Sequence, residues 1–455
     1  MKPRTQFACQ QCGYVSPKWV GRCPACQEWN TLAEEAASPA ATQSRLVHQA
    51  APVRYDALES SDTPRLPTGI PEFDRVLGGG LVPGALILLG GDPGVGKSTL
   101  MLDVAACLSR RTPVLYVSGE ESPLQVRLRG QRMQIATGDL HIYPEMNVER
   151  ILAAADQLGA GALVVDSIQT TFSERLDATP GSIGQIREVA SQFLIWCKQK
   201  QVPVFLIGHI TKDGALAGPK ALEHIVDTVL YFEGPRQHPH RIVRTVKNRF
   251  GAANELGIFE MTALGLRPVD KASGLFLSGR PAPYAGSSVV CSMEGSRPLL
   301  VELQALVSRT HLGTPRRLTT GVDSQRMALI TAVIEKRLGI RLWDQDIYLN
   351  VVGGLEIDEP AADLGVAAAI LSSFLNVALP PRTLILGEIG LGGEVRGSIH
   401  TGIRLKEAAT LGFTRSILPA QSLGEVPPDF EGVGVSNVAE AVESLFGRLP
   451  EPESN

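Results

Sequence analysis

The stretch "ALILLGGDPGVGKSTL", Ala85 to Leu100, decides the fold. An apolar run reads as a buried strand, "GGDPGVGKST" as a glycine-rich loop, and the residues after it as a helix. In that strand-loop-helix setting the glycines let backbone N–H groups curl around phosphates, and the helix N-terminus adds positive potential. Gly91, Asp92, Pro93, Gly94, Val95, Gly96, Lys97, Ser98 and Thr99 are therefore the expected nucleotide cradle. Lys97 is expected at the terminal phosphates and Ser98 on Mg²⁺. An ordinary glycine turn is the alternative.

Outward from this loop, the apolar runs "PVLYVSGE", "DLHIYP", "ALVVDS" and "VPVFLIGH" alternate with helix-like stretches. That pattern predicts a mostly parallel α/β sheet covered by helices on both faces, with ligands at the carboxyl ends of its strands. Asp166 ends one such strand, where a carboxylate holds Mg²⁺ through water opposite Ser98; an N-cap aspartate is the bland reading. In "VSGEES", Glu120 is the expected base for the attacking water, beside Glu121 of undefined role. His209 ends another strand and is a candidate γ-phosphate sensor or a structural histidine. The loop "TKDGALAGPK" after it carries Lys212 and Lys220, positioned to reach a ligand other than the nucleotide.

The first residues hold Cys9-x2-Cys12-x10-Cys23-x2-Cys26. Two CxxC knuckles supply four thiolates for tetrahedral zinc, and a segment of about 30 residues has too little core to fold without a metal. A redox-active pair is the alternative. The remaining cysteines are scattered, as in a reducing compartment. No apolar run approaches the 18 to 20 residues of a membrane span, and the N-terminus has no apolar signal core, so a cytoplasmic protein is expected.

At 455 residues the chain is too long for one core, and 44% hydrophobic with 20% charged residues is an ordinary globular composition. Expected are a zinc knuckle over residues 1–32, a linker over 33–65, an ATPase domain over 66–285, an α+β domain over 286–447 and a disordered tail over 448–455. The net charge of −4 argues against a surface coated for nucleic acid or anionic lipid, yet two acid-free patches stand out. One contains "RIVRTVKNRFG", with Lys247 and Arg249; the other holds Arg309, Arg316 and Arg317. Solvated loops or nucleic-acid contacts both fit.

Taken together, the four-cysteine knuckle, "GDPGVGKST", "SGEES", "VVDSIQT", "GHITKDGALAGPKALEHIVDTVLYFEG" and "VKNRFG" resemble the RadA/Sms family of bacterial DNA repair proteins, over nearly the whole chain. The resemblance implies a zinc finger, a RecA-like ATPase core and a C-terminal domain similar to the Lon protease domain. It further implies a homohexameric ring on single-stranded and branched DNA, nucleoid-associated during repair. ATP hydrolysis would be stimulated by DNA and drive branch migration alongside the RecA recombinase. Within the KNRFG motif (Lys247, Asn248, Arg249, Phe250, Gly251), Lys247 and Arg249 would reach the nucleotide of the next subunit, and Gly251 would let the chain turn away. Lys212, Lys220, Arg309, Arg316 and Arg317 would contact DNA.

The last domain departs from proteolytic relatives. Ala361 in "DEPAADLG" stands where a nucleophilic serine would be, and Gly402 falls about where the lysine base would be, so peptide hydrolysis has no route. Two other activities remain to be weighed: an autokinase resembling the circadian clock kinases, which labelled ATP would reveal, and an ATP-dependent protease, which casein would reveal.

Overall fold

The computed structural model describes residues 5–9, 15–24, 27–36, 54, 64–209, 222–234, 240–269, 273–274, 277, 283–311 and 314–447. The chain divides into two compact units, Met1–Val269 and Asp270–Asn455.

Three strands, β1 (Thr5–Cys9), β2 (Val15–Ser16) and β3 (Leu32–Ala36), form a small antiparallel sheet in the order β2-β1-β3. β3 pairs with β1 from Leu32↔Cys9 to Ala36↔Thr5, so the module continues into residues expected to be linker.

The body of the first unit is a nine-stranded sheet in the order β12-β11-β10-β9-β4-β8-β7-β5-β6. Its strands are β4 (Leu86–Gly91), β5 (Val114–Ser118), β6 (Leu140–Tyr143), β7 (Ala162–Asp166), β8 (Val204–His209), β9 (Thr228–Glu233), β10 (His240–Asn248), β11 (Leu256–Thr262) and β12 (Gly265–Pro268). β4 to β9 run parallel, and β10 to β12 extend the sheet antiparallel. Alternation decides the two faces: Ile87 and Leu89 of β4 enter one buried cluster, while Leu86 and Leu88 enter the other. Helices α1 (Pro71–Val76), α2 (Lys97–Leu108) and α3 (Pro123–Met133) supply residues to the first face. α4 (Val148–Leu158) and α5 (Ile183–Lys200) supply the second. The expected α/β fold with a mostly parallel sheet and helices on both faces is what the chain forms.

The second unit is α+β. Its four-stranded sheet, β13 (Ser287–Glu294), β14 (Arg297–Arg309), β15 (Arg317–Thr320) and β16 (Gln345–Val351), has the order β13-β14-β16-β15 and packs against the helix Asp363–Leu375. The boundary lies at Val269/Asp270, not near residue 285. The reason is local: the Ser273 hydroxyl accepts from Leu300 N and donates to Glu407, and Leu277 packs on the core of the second unit. Among the described residues no helix is long and apolar enough to cross a membrane.

Candidate active site

Parallel register brings four strand ends to one edge. Gly91 of β4 lies beside His209 of β8, Ile207 of β8 beside Asp166 of β7, and Asp166 beside Ser118 of β5. The P-loop, the expected sensor, the expected metal carboxylate and the segment bearing Glu120 thus share the carboxyl edge.

The loop geometry explains its glycines. Gly91 (φ +156°) has no room for a side chain, since a Cβ would lie 2.3 Å from the Phe232 carbonyl oxygen. Gly94 (φ +80°) faces open space and leaves the backbone approachable. Lys97 is 4% exposed, and its ammonium donates to Gly91 O at 2.7 Å and Asp92 O at 3.0 Å. Burial pulls its pKa down to about 8 against the opposing carboxylates of Asp166, Glu120 and Asp92. Incoming phosphates would add to these anions and favour the charged ammonium, so these residues fit a nucleotide.

A continuous polar chain runs from that lysine. Lys97 Nζ lies 3.2 Å from His209 Nδ1, and His209 Nε2 lies 3.2 Å from Glu120 Oε1. The same carboxylate oxygen accepts from the Ser167 hydroxyl at 2.5 Å. Hydrogen bonding from His209, then from Ser167, holds Glu120 down to about 2 despite partial burial. A carboxylate that acidic is a weak base, so its work on water is mainly orientation. Glu121 is engaged elsewhere, in an ion pair with Arg129 of α3, and its N–H donates to the Ser118 hydroxyl. Of the two glutamates, Glu120 is the one joined to Lys97 through His209.

Asp166 is 6% exposed and accepts from the buried Tyr116 hydroxyl at 2.8 Å. The Asp166 carboxylate and the Ser98 hydroxyl, at the start of α2, are hard oxygen donors of the kind Mg²⁺ takes. Arg241, at the start of β10, donates to Val95 O at 3.2 Å and props the P-loop from below.

The KNRFG motif lies at the other end. β10 is antiparallel to β9, so Asn248 pairs with Thr228, which pairs with Ile87 near the start of β4. The nine residues of β10 separate Arg241 from Arg249 by roughly 25–30 Å, which puts Arg249 out of reach of its own P-loop. The two cations differ. Lys247 donates to the carbonyls of Glu223 and Val226, and burial lowers its pKa. Arg249 keeps 52% side-chain exposure and pairs with Asp227 at 3.3 Å. Gly251 does not adopt a positive φ; close approach to Asn248 and Gly78 favours the glycine, since a Cβ would meet Asn248 Nδ2 at 3.0 Å and Gly78 Cα at 3.3 Å.

Other expected sites are placed unevenly. Lys212 and Lys220 lie outside the described residues. Arg309 is exposed, with Asp344 3.9 Å away, and Arg316 is exposed on β15's flank. Arg317 is half-buried and donates to Gln345 O and Leu342 O. Cys9 and Cys23 are each 1% exposed and share a small cluster with Leu32, as two ligands of one metal would; Cys12 and Cys26 lie outside the described residues.

In the second unit Ala361 is buried at a short 3₁₀ turn, Pro360–Ala362. Arg404, not Gly402, meets this segment: its guanidinium pairs with both carboxylate oxygens of Glu359 and donates to the carbonyls of Cys291 and Ile399. Gly402 N donates to Glu425.

The family described as AAA domain matches residues 51–215, and the rubredoxin metal binding domain matches residues 7–34. The crystal structure of a KaiC-like protein from Pyrococcus horikoshii aligns with 45% of this chain and 99% of its own, at 23% identity and a TM-score of 0.38. The DNA repair protein RadA of Bacillus subtilis is 49% identical over 98% of this chain and 99% of its own length. The RadA protein of Halalkalibacterium halodurans is 48% identical over 98% and 100%. With this identity along its whole length, the chain belongs to the RadA/Sms family of DNA repair proteins.

Proposed function

We propose that this protein is a DNA-dependent ATPase, a homohexameric ring that moves on single-stranded DNA and promotes branch migration of recombination intermediates with the RecA recombinase. One observation carries the reading: the Lys97–His209–Glu120 chain occupies one edge of the sheet, and the exposed Arg249 occupies the opposite edge. A ring that stacks one edge against the other would complete each site with a neighbour's cation.

Lys97 would bind the β- and γ-phosphates, and Glu120 would orient the attacking water. His209, touching both, would respond to the γ-phosphate. Ser98 and Asp166 would hold Mg²⁺, which neutralises charge on the transferring phosphate. Arg249 from the next copy would stabilise that charge further, and an arginine so placed accelerates phosphoryl transfer by roughly 10³–10⁵-fold. Hydrolysis then depends on how neighbours sit, which is what couples ATP to movement. Lys212, Lys220, Arg309 and Arg316 are the proposed DNA contacts, where phosphate neutralisation adds up over copies. Cys9, Cys12, Cys23 and Cys26 would hold structural zinc.

The test is ATP hydrolysis with and without single-stranded DNA, for the wild type and Lys97→Ala. DNA should raise the wild-type rate, and Lys97→Ala should abolish both rates. An unchanged wild-type rate on adding DNA would remove the motor reading's main support.

A further inference from the structure

Asp227 is a buried carboxylate that the nucleotide chemistry above does not use. It is 2% exposed, at the edge opposite the P-loop. Its Oδ2 accepts from Leu86 N at 3.0 Å and from Lys198 Nζ at 2.7 Å. Its Oδ1 accepts from Arg249 Nη1 at 3.3 Å, and its carbonyl accepts from Arg249 N at 3.1 Å. Lys198 in turn lies over the Phe250 ring, 5.3 Å from its centroid.

A neutral asparagine would satisfy Leu86 N as well. Burying a charge is expensive unless cations offset it, so a carboxylate here serves Lys198 and Arg249 rather than the strand. Two of its contacts fix both the backbone and the guanidinium of Arg249. A third ties that arginine to the first residue of β4, the strand whose other end is Gly91 of the P-loop.

We infer that Asp227 is the positioning residue for Arg249, holding the cation that a neighbouring copy's nucleotide receives and linking it to the strand that carries its own subunit's P-loop. This rests on the reading of Arg249 as a cation acting across an interface.

The experiment uses full-length Asp227→Asn, Arg249→Ala and Lys97→Ala, alone and coexpressed in pairs. A displacement of about 1 Å at a reacting group costs roughly 10²-fold. Asp227→Asn should therefore lower kcat by roughly 10²-fold while leaving the Kd of a fluorescent ATP analogue unchanged. In the Arg249→Ala background it should lower kcat no further. Coexpression with Lys97→Ala should restore partial turnover, as coexpression of Arg249→Ala with Lys97→Ala does, because mixed rings contain sites with an intact lysine and an intact donor subunit. A purely structural role in its own subunit gives no such recovery. If Arg249→Ala mixtures recover and Asp227→Asn mixtures do not, the inference is overturned while the interface reading stands. If Arg249→Ala alone turns over like the wild type, the interface reading falls and takes the inference with it. Should Asp227→Asn fail to fold, Asp227→Glu keeps the buried charge and displaces it; wild-type turnover in that variant overturns the inference.

Discussion

Both units of this protein carry charged side chains at positions where chemistry is expected, and they hold them differently. At the carboxyl edge of the nine-stranded sheet, Glu120 and His209 touch each other yet keep 41% and 32% side-chain exposure. In the second unit Arg404 is 0% exposed and closed around Glu359, beside the turn that contains Ala361. The first arrangement leaves charge within reach of a ligand. The second has converted it into architecture, and a cation saturated by one carboxylate and backbone carbonyls can neither take a proton nor meet a substrate.

The sharpest way to break this contrast is to exchange the roles by mutation. Glu120→Gln should lower hydrolysis by roughly 10²-fold, the cost of losing orientation at a reacting group, with little change in thermal unfolding. Phosphate release and a melting curve on the same sample check both halves. Arg404→Ala should do the reverse: removing one partner of a buried pair costs about 3–5 kcal/mol, concentrated in the second unit. Nucleotide binding by the first unit should persist. Denaturant unfolding followed with Trp343, in the second unit, reads the loss, and a melting temperature like the wild type would show that Arg404 is not the strut described.

A finer test stays within the first unit. Tyr116 fixes Asp166 by a single hydrogen bond, and partners of metal-holding groups are worth about 10–100-fold in metal affinity. Tyr116→Phe should raise the Mg²⁺ concentration needed for nucleotide binding by that factor and leave the saturated rate nearly intact. An unchanged Mg²⁺ titration would assign Tyr116 to packing alone.

How much of this was legible follows from distance along the chain. The P-loop is contiguous, so its glycines and Lys97 are readable as they stand. Asp166 and His209 are readable as polar ends of apolar strands. Glu120 and Glu121 are adjacent in the same local context, and partners elsewhere in the chain distinguish them: Arg129 claims Glu121, while His209 and Ser167 claim Glu120. Tyr116 and Ser167 reach partners 50 and 47 residues away because β5 happens to lie beside β7. No local pattern encodes that neighbourhood. Arg404 did leave a trace: the buried positions of its helix are Thr401, Arg404, Leu405 and Ala408, an i, i+3, i+4, i+7 stripe with an arginine inside it. The different surroundings of Lys247 and Arg249 are closed to sequence altogether, since both are cations two residues apart at one strand end, and the carbonyls that engage Lys247 lie 24 and 21 residues away.

The smallest predicted effect sharpens the contrast by pH. His209 and Ser167 hold Glu120 below the ordinary glutamate value of 4.5, down to about 2. A depressed carboxylate contributes stability that is complete above the unfolded value and is lost as pH falls through the folded one. The stability difference between wild type and Glu120→Gln should therefore be flat above about pH 5 and shrink between 4.5 and about 2. Because the side chain is 41% exposed, solvent screening keeps that difference under about 1 kcal/mol. Chemical denaturation at stepped pH values measures it. A difference of several kcal/mol would mean that Glu120 braces the fold as Arg404 does, and the distinction between a working edge and a structural one would fail at the residue on which it most depends.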